Sequence, residues 1–248
     1  MRKKKSTSVP SVGRSARRAQ VEEEDNTTDK SAWLRGALVL GAAAMVCKLL
    51  GTLQKIPLQN IAGDRVFGLY HAVYPLYQLV LFMTTAGLPV AVSILVAEQA
   101  AFGIAAQRRA ATLGMLLLGV AGVAGCALLW IGADAAARLL GGADAAWAVR
   151  MAALALLFAP PMAALRGYFQ GRQQMLPSAL SQIAEQTVRV ALLLALVLAG
   201  TAAGWSDAQL AAGAMAGSAA GAAAGGALIG LLWLRADRAG AVVAAGDG

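Results

Sequence analysis

The sequence is poor in the residues from which most catalytic and metal sites are built. It has two cysteines, Cys47 and Cys126, and one histidine, His71. Both cysteines lie in apolar runs without a CxxC or zinc-ligand spacing, so neither a disulfide framework nor a metal site is expected. No GxxxxGK[ST] loop and no Ser/His/Asp arrangement is present, which argues against ATP hydrolysis and against nucleophilic catalysis. We therefore expect no enzyme activity, no cofactor and no metal.

Charge is also scarce. Charged residues make up 14% of the chain and hydrophobic residues 58%, and the mean hydropathy is +0.63. Soluble domains carry about 25% charged residues, so this is the composition of a membrane protein. The net charge of +8 is concentrated outside the apolar runs, with nine of the 21 Lys and Arg in residues 1–35. That placement is typical of topology signals and does not indicate nucleic-acid binding.

The apolar runs predict an all-α integral membrane protein with about six transmembrane helices. A spanning helix needs about 20 residues. The predicted segments are 33–54, 69–99, 111–132, 147–165, 178–199 and 209–234. They form one lobe over residues 31–238, preceded by a disordered, charged cytoplasmic tail (1–30) and followed by a short flexible tail (239–248).

Lysine and arginine favour one side of this arrangement, which predicts the orientation. The tail shares its side with Arg108, Arg109, Arg166, Arg172, Arg235 and Arg238. The other side has Arg65 and Arg138 beside Asp64, Asp134, Asp144 and Asp207. Both termini are therefore predicted to be cytoplasmic.

Two segments carry breaks or small-residue patterns. Pro75 and the Gly87-Leu88-Pro89 sequence interrupt the second segment, which predicts kinks there. Such kinks either act as hinges lining a cavity or simply serve packing. In the sixth segment a glycine recurs at every fourth position, at Gly213, Gly217, Gly221 and Gly225. This stripe predicts close approach of another helix, in this chain or in a partner.

Glu185 and Arg189 lie well inside the fifth apolar segment. A charge near the bilayer centre costs roughly 2.5–3.5 kcal/mol on insertion scales, so something must compensate it. Because the two residues are four apart, they share a helix face and can pair as a structural lock. The alternative is functional: Arg189 contacts a substrate phosphate, or Glu185 is a proton or cation site.

Two stretches resemble a known family. RGYFQGRQQMLPSALSQIAEQTVR (166–189) and KLLGTLQKIPLQNIAGDRVFGLYHAVYPLYQLVLFMTTAGLPVAVSILVAE (48–98) resemble, in the same order, the polysaccharide-export and stage V sporulation protein B family of the MATE/MOP flippase superfamily. Members have two similar six-helix lobes around a central cavity. This chain has about one lobe, so the resemblance implies the N-terminal lobe of a half-length member, of a fragment or of a split transporter, to be completed by a second lobe or a homodimer.

The resemblance implies a flippase in the bacterial cytoplasmic membrane. Its partners would be membrane lipids and an anionic substrate, an isoprenoid-pyrophosphate-linked sugar that serves as a polysaccharide or peptidoglycan precursor. Transport would follow alternating access. A multidrug or cation antiporter of the same superfamily is the nearest alternative. A non-transporting membrane subunit that assembles through the glycine stripe is another, and a membrane enzyme is disfavoured because the aspartates are scattered.

The resemblance also suggests which residues bind substrate. Lys48 matches a basic residue of the family's first helix, within the cationic cavity that attracts the lipid pyrophosphate. Lys55 lies one residue out of register with a second such position, and snorkelling to the interface is its alternative role.

Four further residues are candidates for substrate contact. Arg166 and Arg172, placed by the sequence in a short cytoplasmic connection, either meet the lipid headgroup or act as positive anchors. Tyr70 and Tyr74, with Tyr77 on the same stripe, either stack on a sugar ring or anchor the helix at the membrane interface.

Overall fold

The computed structural model describes residues 34–85, 87–140 and 142–246, with side chains up to residue 236. Every regular element in these ranges is helical. The α-helices are α1 (34–53), α2 (Lys55–Thr85), α3 (Leu88–Glu98), α4 (Ile104–Ile131), α5 (Ala133–Leu139), α6 (Ala146–Ala155), α7 (Ala159–Gly171), α8 (Met175–Ala202) and α9 (Asp207–Gly246). The predicted tail 1–30 lies outside the described residues, and the division into a lobe and two tails stays a prediction.

The described part of the chain crosses the bundle six times. By length and composition, five helical stretches in this part could span a membrane, and the first, Leu34–Phe102, has 69 residues. A span needs about 20 residues. Gly63 interrupts this stretch with non-helical angles, φ 83° and ψ 171°. The first stretch is therefore long enough for two crossings with a break between them.

Contacts at the ends of this stretch show that it runs out and back. A Cβ on Gly36 would lie 2.7 Å from Cγ of Met175, at the start of α8. Arg65, just after the break, forms an ion pair with Asp207, beyond the far end of α8 (3.4 Å). Ser93 then lies against Gly171, a few residues before α8 begins. The stretch thus supplies two of six crossings, and the predicted all-α membrane fold is confirmed.

Three helices, α4, α8 and α9, are longer than the apolar segments from which they were predicted. α4 begins at Ile104, whereas the sequence segment began at residue 111. Polar residues extend these helices past the apolar limit because helix ends can protrude into the headgroup region, where water solvates them. The fourth segment is not one helix, since α6 ends at Ala155 and α7 begins at Ala159, with Pro160 in its first turn. Proline disfavours helix in the residue before it, so the break precedes the proline pair.

The loops that carry Arg65 and the aspartates lie at one end of the bundle and Arg108 lies at the other, as the sequence predicted. Arg65 Nη2 lies 2.6 Å from Asp144 Oδ2, and Arg65 Nε lies 3.4 Å from Asp207 Oδ2. These residues belong to three different crossings, so their loops share one end of the bundle. At the other end the Arg108 guanidinium lies over the Trp233 ring at 5.4 Å from its centroid. Which end faces the cytoplasm stays a prediction.

Two clusters of buried side chains form the core, one towards each end of the bundle. The cluster at the Arg65 end is built from α2, the end of α4, α5, α6, the second half of α8 and the start of α9. The cluster at the Arg108 end is built from α3, the start of α4, α7 and the second half of α9. Charged residues of α7 and α8 lie between the two.

The glycine stripe of α9 packs on α8 of the same chain. A Cβ on Gly217 would lie 2.7 Å from the Arg189 carbonyl oxygen, and one on Gly221 would lie 2.5 Å from the Glu185 carbonyl oxygen. One on Gly225 would lie 2.9 Å from the Glu185 Cβ. Real Cβ atoms do not come this close, so only glycine permits the contact. The partner helix left open by the sequence is α8. The stripe is therefore not free to assemble with another subunit, which removes the feature on which the non-transporting-subunit alternative rested.

A leucine at the stripe should destabilise the bundle. Gly221→Leu is expected to lower the free energy of unfolding by about 1–3 kcal/mol or more, because the clash is with backbone that cannot rotate away. Gly230→Leu is the matched control, since a Cβ on Gly230 of the same helix meets nothing within 4 Å. Thermal unfolding and gel filtration of the two variants in detergent measure the difference. Equal unfolding temperatures for both variants would contradict the packing described.

Candidate functional site

Three charged side chains form a cluster between α7 and α8. Arg189 Nη2 lies 2.6 Å from Glu185 Oε1, and Arg166 Nη2 lies 2.9 Å from Glu185 Oε2. The side chains of Arg166, Glu185 and Arg189 are 20%, 14% and 9% exposed. The predicted pair Glu185–Arg189 is confirmed, and each carboxylate oxygen has its own arginine. We call these three residues the charge triad.

Sequence reasoning missed the third member because it placed Arg166 in a loop. Arg166 lies inside α7, and the connection between α7 and α8 is only residues 172–174. Arg172 does lie in that connection. Its Nη1 donates a hydrogen bond to the Tyr168 hydroxyl at 2.7 Å, and its guanidinium lies 5.4 Å from the Tyr168 ring centroid. The spacing of 19 residues between Arg166 and Glu185 carries no helical signal that could have paired them.

Neutral groups tie the charge triad to three helices. Arg166 donates to the Ser181 hydroxyl at 2.9 Å, and that hydroxyl donates to the Gly225 carbonyl of α9 at 3.1 Å. Arg189 donates to Gln186 Oε1 at 3.3 Å. Buried ions are tolerated when geometry and extra hydrogen bonds offset their desolvation. The pairing supports a structural role for Arg189 and Glu185, because a substrate phosphate would have to displace an existing partner.

The tyrosine stripe of α2 points mostly into the core. Tyr70 is 2% exposed and Tyr77 is 1% exposed. Gln54 donates to the Tyr70 hydroxyl at 3.3 Å, and Gln78 donates to the Tyr74 hydroxyl at 2.7 Å. The sequence suggested two roles for these tyrosines, anchoring at the membrane interface and stacking on a sugar ring, and both require an exposed ring. The rings of Tyr70 and Tyr77 are buried, so neither role fits these two residues. Tyr74 alone of the three is partly exposed, with its ring stacked on Tyr70 at 5.7 Å between centroids.

Lys48 and Lys55 are both exposed, and within the described part of the chain neither forms an ion pair. They are seven residues apart, close to two helical turns, and so share one face. Lys48 lies 14 residues after Leu34, the first described residue of the apolar stretch. At 1.5 Å per residue this is about 21 Å along the helix, which is inside a hydrocarbon core of about 30 Å but past its centre.

The surface around Lys48 differs from the rest of α1. Three of its neighbours one turn away, Ala44, Gly51 and Thr52, are small or polar, whereas Met45 is large and apolar. We call the surface of Lys48 and Lys55 with these three residues the lysine face. The surface beside it carries large exposed apolar side chains, namely Leu34, Leu38, Met45, Leu49, Leu53 and Ile56. The lysine face is therefore the more polar part of the exposed surface here, next to a part suited to lipid.

The lysine face adjoins α8. Cys47 Sγ donates to the Gln182 carbonyl at 3.5 Å, and a Cβ on Gly51 would lie 3.1 Å from Gln186 Nε2. Gln186 in turn accepts a hydrogen bond from Arg189. The lysine face, Gln186 and the charge triad are thus contiguous, although they come from segments more than 100 residues apart.

Of the two breaks predicted in the second segment, the one at Gly87 and Pro89 divides the helix and the one at Pro75 does not. α2 ends at Thr85 and α3 begins at Leu88, with Gly87 in the left-handed region at φ 80° and Pro89 in the first turn of α3. The helix passes through Pro75, and the one non-helical residue in α2 is Gly63. The break at Gly87 and Pro89 is present, and its role as a hinge, with that of Pro75, stays a prediction.

Comparison with known proteins gives a family and three curated relatives. A family model described as "Polysaccharide biosynthesis protein" matches residues 33–243. The relatives, all from Bacillus subtilis, are an uncharacterized membrane protein, YabM (37% identical, 68% of this chain, 32% of the relative), Lipid II flippase MurJ (35%, 64% and 31%) and Stage V sporulation protein B (34%, 66% and 32%). The matched region spans about a third of each relative. No solved structure matches the chain.

Proposed function

Since the chain belongs to the polysaccharide biosynthesis protein family, we propose that this multi-pass membrane protein is one lobe of a flippase. Its substrate is an isoprenoid-pyrophosphate-linked sugar, a polysaccharide or peptidoglycan precursor, moved across the bacterial cytoplasmic membrane by alternating access. A relative that is 35% identical is named as a lipid II flippase. Because the matched region spans about a third of that relative, the transporting unit is completed by a second lobe or by a second copy of this chain.

The lysine face is the observation that carries the proposal. A lysine facing lipid at the bilayer centre costs roughly 2.5–3.5 kcal/mol on insertion scales, and lysines inside membranes usually line a water-filled cavity or meet an anionic partner. Lys48 lies inside the hydrocarbon core, and Lys55, about 11 Å further along the helix, lies near its edge. Lys48 and Lys55 are exposed and lack a carboxylate partner among the described residues. A cavity between this lobe and a second one removes the cost, and a pyrophosphate supplies the missing negative charge.

The charge balance favours an anionic substrate over a cation. The charge triad has two arginines and one glutamate, a formal sum of +1, and the lysine face adds two more positive charges. A multidrug or cation antiporter needs a carboxylate that can exchange a proton or a cation. Glu185 is held by arginine at both oxygens, so it is poorly placed for that exchange.

Each candidate residue then has a role. Lys48 and Lys55 contact the pyrophosphate, Tyr74 lies at the edge of the cavity, and the break at Gly87 and Pro89 allows the second crossing to bend. The charge triad holds α7, α8 and α9 in register behind the lysine face. Arg172 lies in the loop between α7 and α8, where it makes the first contact with the lipid headgroup as the substrate enters.

Complementation of a bacterium depleted of its own flippase tests the proposal, with leaflet accessibility of the lipid-linked sugar as the readout. The 248-residue chain is expressed alone and together with the C-terminal lobe of a relative. Transport is expected with the second lobe supplied, or alone if the chain forms a homodimer. A chain that inserts stably and transports nothing in either arrangement would refute the flippase assignment.

A further inference from the structure

An apolar groove runs between α3 and α4 on the outside of the lobe. Its volume is about 460 Å³. Leu95, Leu113 and Leu117 line it and are 47%, 61% and 64% exposed, so it is open to the membrane. Arg109 and Gln99 close one end, and Leu88 and Leu118 lie at the other. The groove is thus apolar along its length and polar at one end.

Its length matches one leaflet of a bilayer. Arg109 and Leu118 are nine residues apart on α4, which corresponds to about 14 Å of helix. Half of a hydrocarbon core of about 30 Å is about 15 Å. A groove that starts at an arginine near the membrane surface therefore ends near the bilayer midplane, which is the reach of one acyl chain.

Tight helix contact forms the floor of the groove. Gly114 of α4 faces Val92 of α3 so closely that a Cβ on the glycine would overlap the valine side chain. Val92 is itself 4% exposed. The two backbones approach at this point while the larger leucines on either side stand out from the surface. The groove is therefore a fixed feature of the α3–α4 contact.

The charge at the polar end is positive and unmatched. Arg109 is exposed and, among the described residues, forms no ion pair. Glu98, the acidic residue of α3 nearest this end, is exposed and is not paired with it. The neighbouring Arg108 is placed over Trp233. Basic sites between transmembrane helices near the membrane surface bind anionic lipid headgroups.

From these observations we propose that the α3–α4 groove binds an anionic phospholipid, with one acyl chain along the groove and the headgroup phosphate at Arg109. The occupant is a membrane phospholipid and not the transported substrate, because the groove opens on α3 and α4 while the lysine face lies on α1 and the start of α2. Lipid bound here would stabilise the contact between the second and third crossings.

Native mass spectrometry of the full chain tests the site, with phosphatidylglycerol and phosphatidylcholine of identical acyl chains as probes. Phosphatidylglycerol is expected to bind more tightly, and Arg109→Gln should weaken it by about fivefold while leaving phosphatidylcholine unchanged. Ala91→Phe, which fills the groove, should reduce binding of both lipids. Arg235→Gln and Ala97→Phe are matched controls, since neither residue lines the groove, and both should bind as the wild type does.

Three results would overturn the proposal. Equal binding of the two lipids by the wild type, or unchanged binding in Ala91→Phe, would show that the groove is not the lipid site. Displacement of phosphatidylglycerol by an equimolar polyisoprenyl phosphate, sensitive to Arg109→Gln, would assign the groove to the substrate instead. Residue 91 is exposed, so the phenylalanine variant is expected to fold, and gel filtration confirms this before lipid is added.

Discussion

Glu185→Ala should lower the free energy of unfolding by about 3–5 kcal/mol, the effect expected when one partner of a buried ion pair is removed. The carboxylate is 14% exposed and separates two arginines that are 20% and 9% exposed. Without it, Arg166 and Arg189 remain buried and face each other as like charges. Thermal unfolding in detergent, followed by circular dichroism or by a thiol-independent dye, measures the loss.

Two compensating variants separate the charge effect from a loss of packing. Glu185→Ala/Arg189→Ala should be less damaging than Glu185→Ala, because only Arg166 stays unpaired and Ser181 still accepts its hydrogen bond. Replacing all three charges with Met, Leu and Met should recover most of the stability, since apolar groups of similar volume often equal a buried ion pair. A double variant as unstable as the single one would argue against charge as the cause.

Lys48→Met should reduce transport by about 10- to 100-fold, because hydrogen bonds to charged groups are worth about 1.5–3 kcal/mol and this one would be lost from the bound pyrophosphate. Methionine keeps most of the volume and removes only the charge. Lys48→Arg should retain activity, since it preserves the positive charge. Leaflet accessibility of the lipid-linked sugar in the complementation assay gives the rate, and Arg138→Met, at an exposed position in the last turn of the short helix α5, is the charge-matched control.

Thiol labelling measures independently whether the lysine face is exposed to water in the assembled transporter. Cys47 and Cys126 are the chain's two cysteines, so replacing both with alanine gives a background for single-cysteine variants. In the assembled transporter, Lys48→Cys and Lys55→Cys should react with a membrane-impermeant maleimide, whereas Leu49→Cys should not. Leu49 is 60% exposed in the lobe, so its protection would reflect lipid and not burial. Equal protection at positions 48 and 49 would place the lysine face against lipid and remove the reason to assign it to a cavity.

The predictions for Glu185 and Lys48 concern residues that stand out in the sequence, although the sequence does not show what surrounds them in the fold. A lysine and a glutamate–arginine pair inside apolar runs are unusual enough to be singled out from composition alone. Whether such a charge is buried in a lobe or exposed on its surface depends on helix packing. The structure gives opposite answers, since Glu185 and Arg189 are buried within the lobe and Lys48 is exposed on it. The first set therefore supports stability and the second is available to a substrate.

The sequence by itself determined the features that depend on local patterns. Apolar runs of about 20 residues require helices in a membrane, because only a helix satisfies its own backbone groups there. The four-residue spacing of Glu185 and Arg189 indicated that they can pair, and the spacing of the glycines indicated a close helix contact. The grouping of the acidic loops with Arg65 followed from the alternation of crossings.

Only the tertiary structure decided the features that depend on which helices meet. It supplied Arg166 as the third member of the charge triad, and it made α8 the partner of the glycine stripe. It also turned Tyr70 and Tyr77 into the core. The physical reason is that α-helices in a membrane all present similar apolar surfaces, so periodicity shows that a face is special without showing what covers it. Helix packing alone determines which faces are covered within the lobe and which remain exposed.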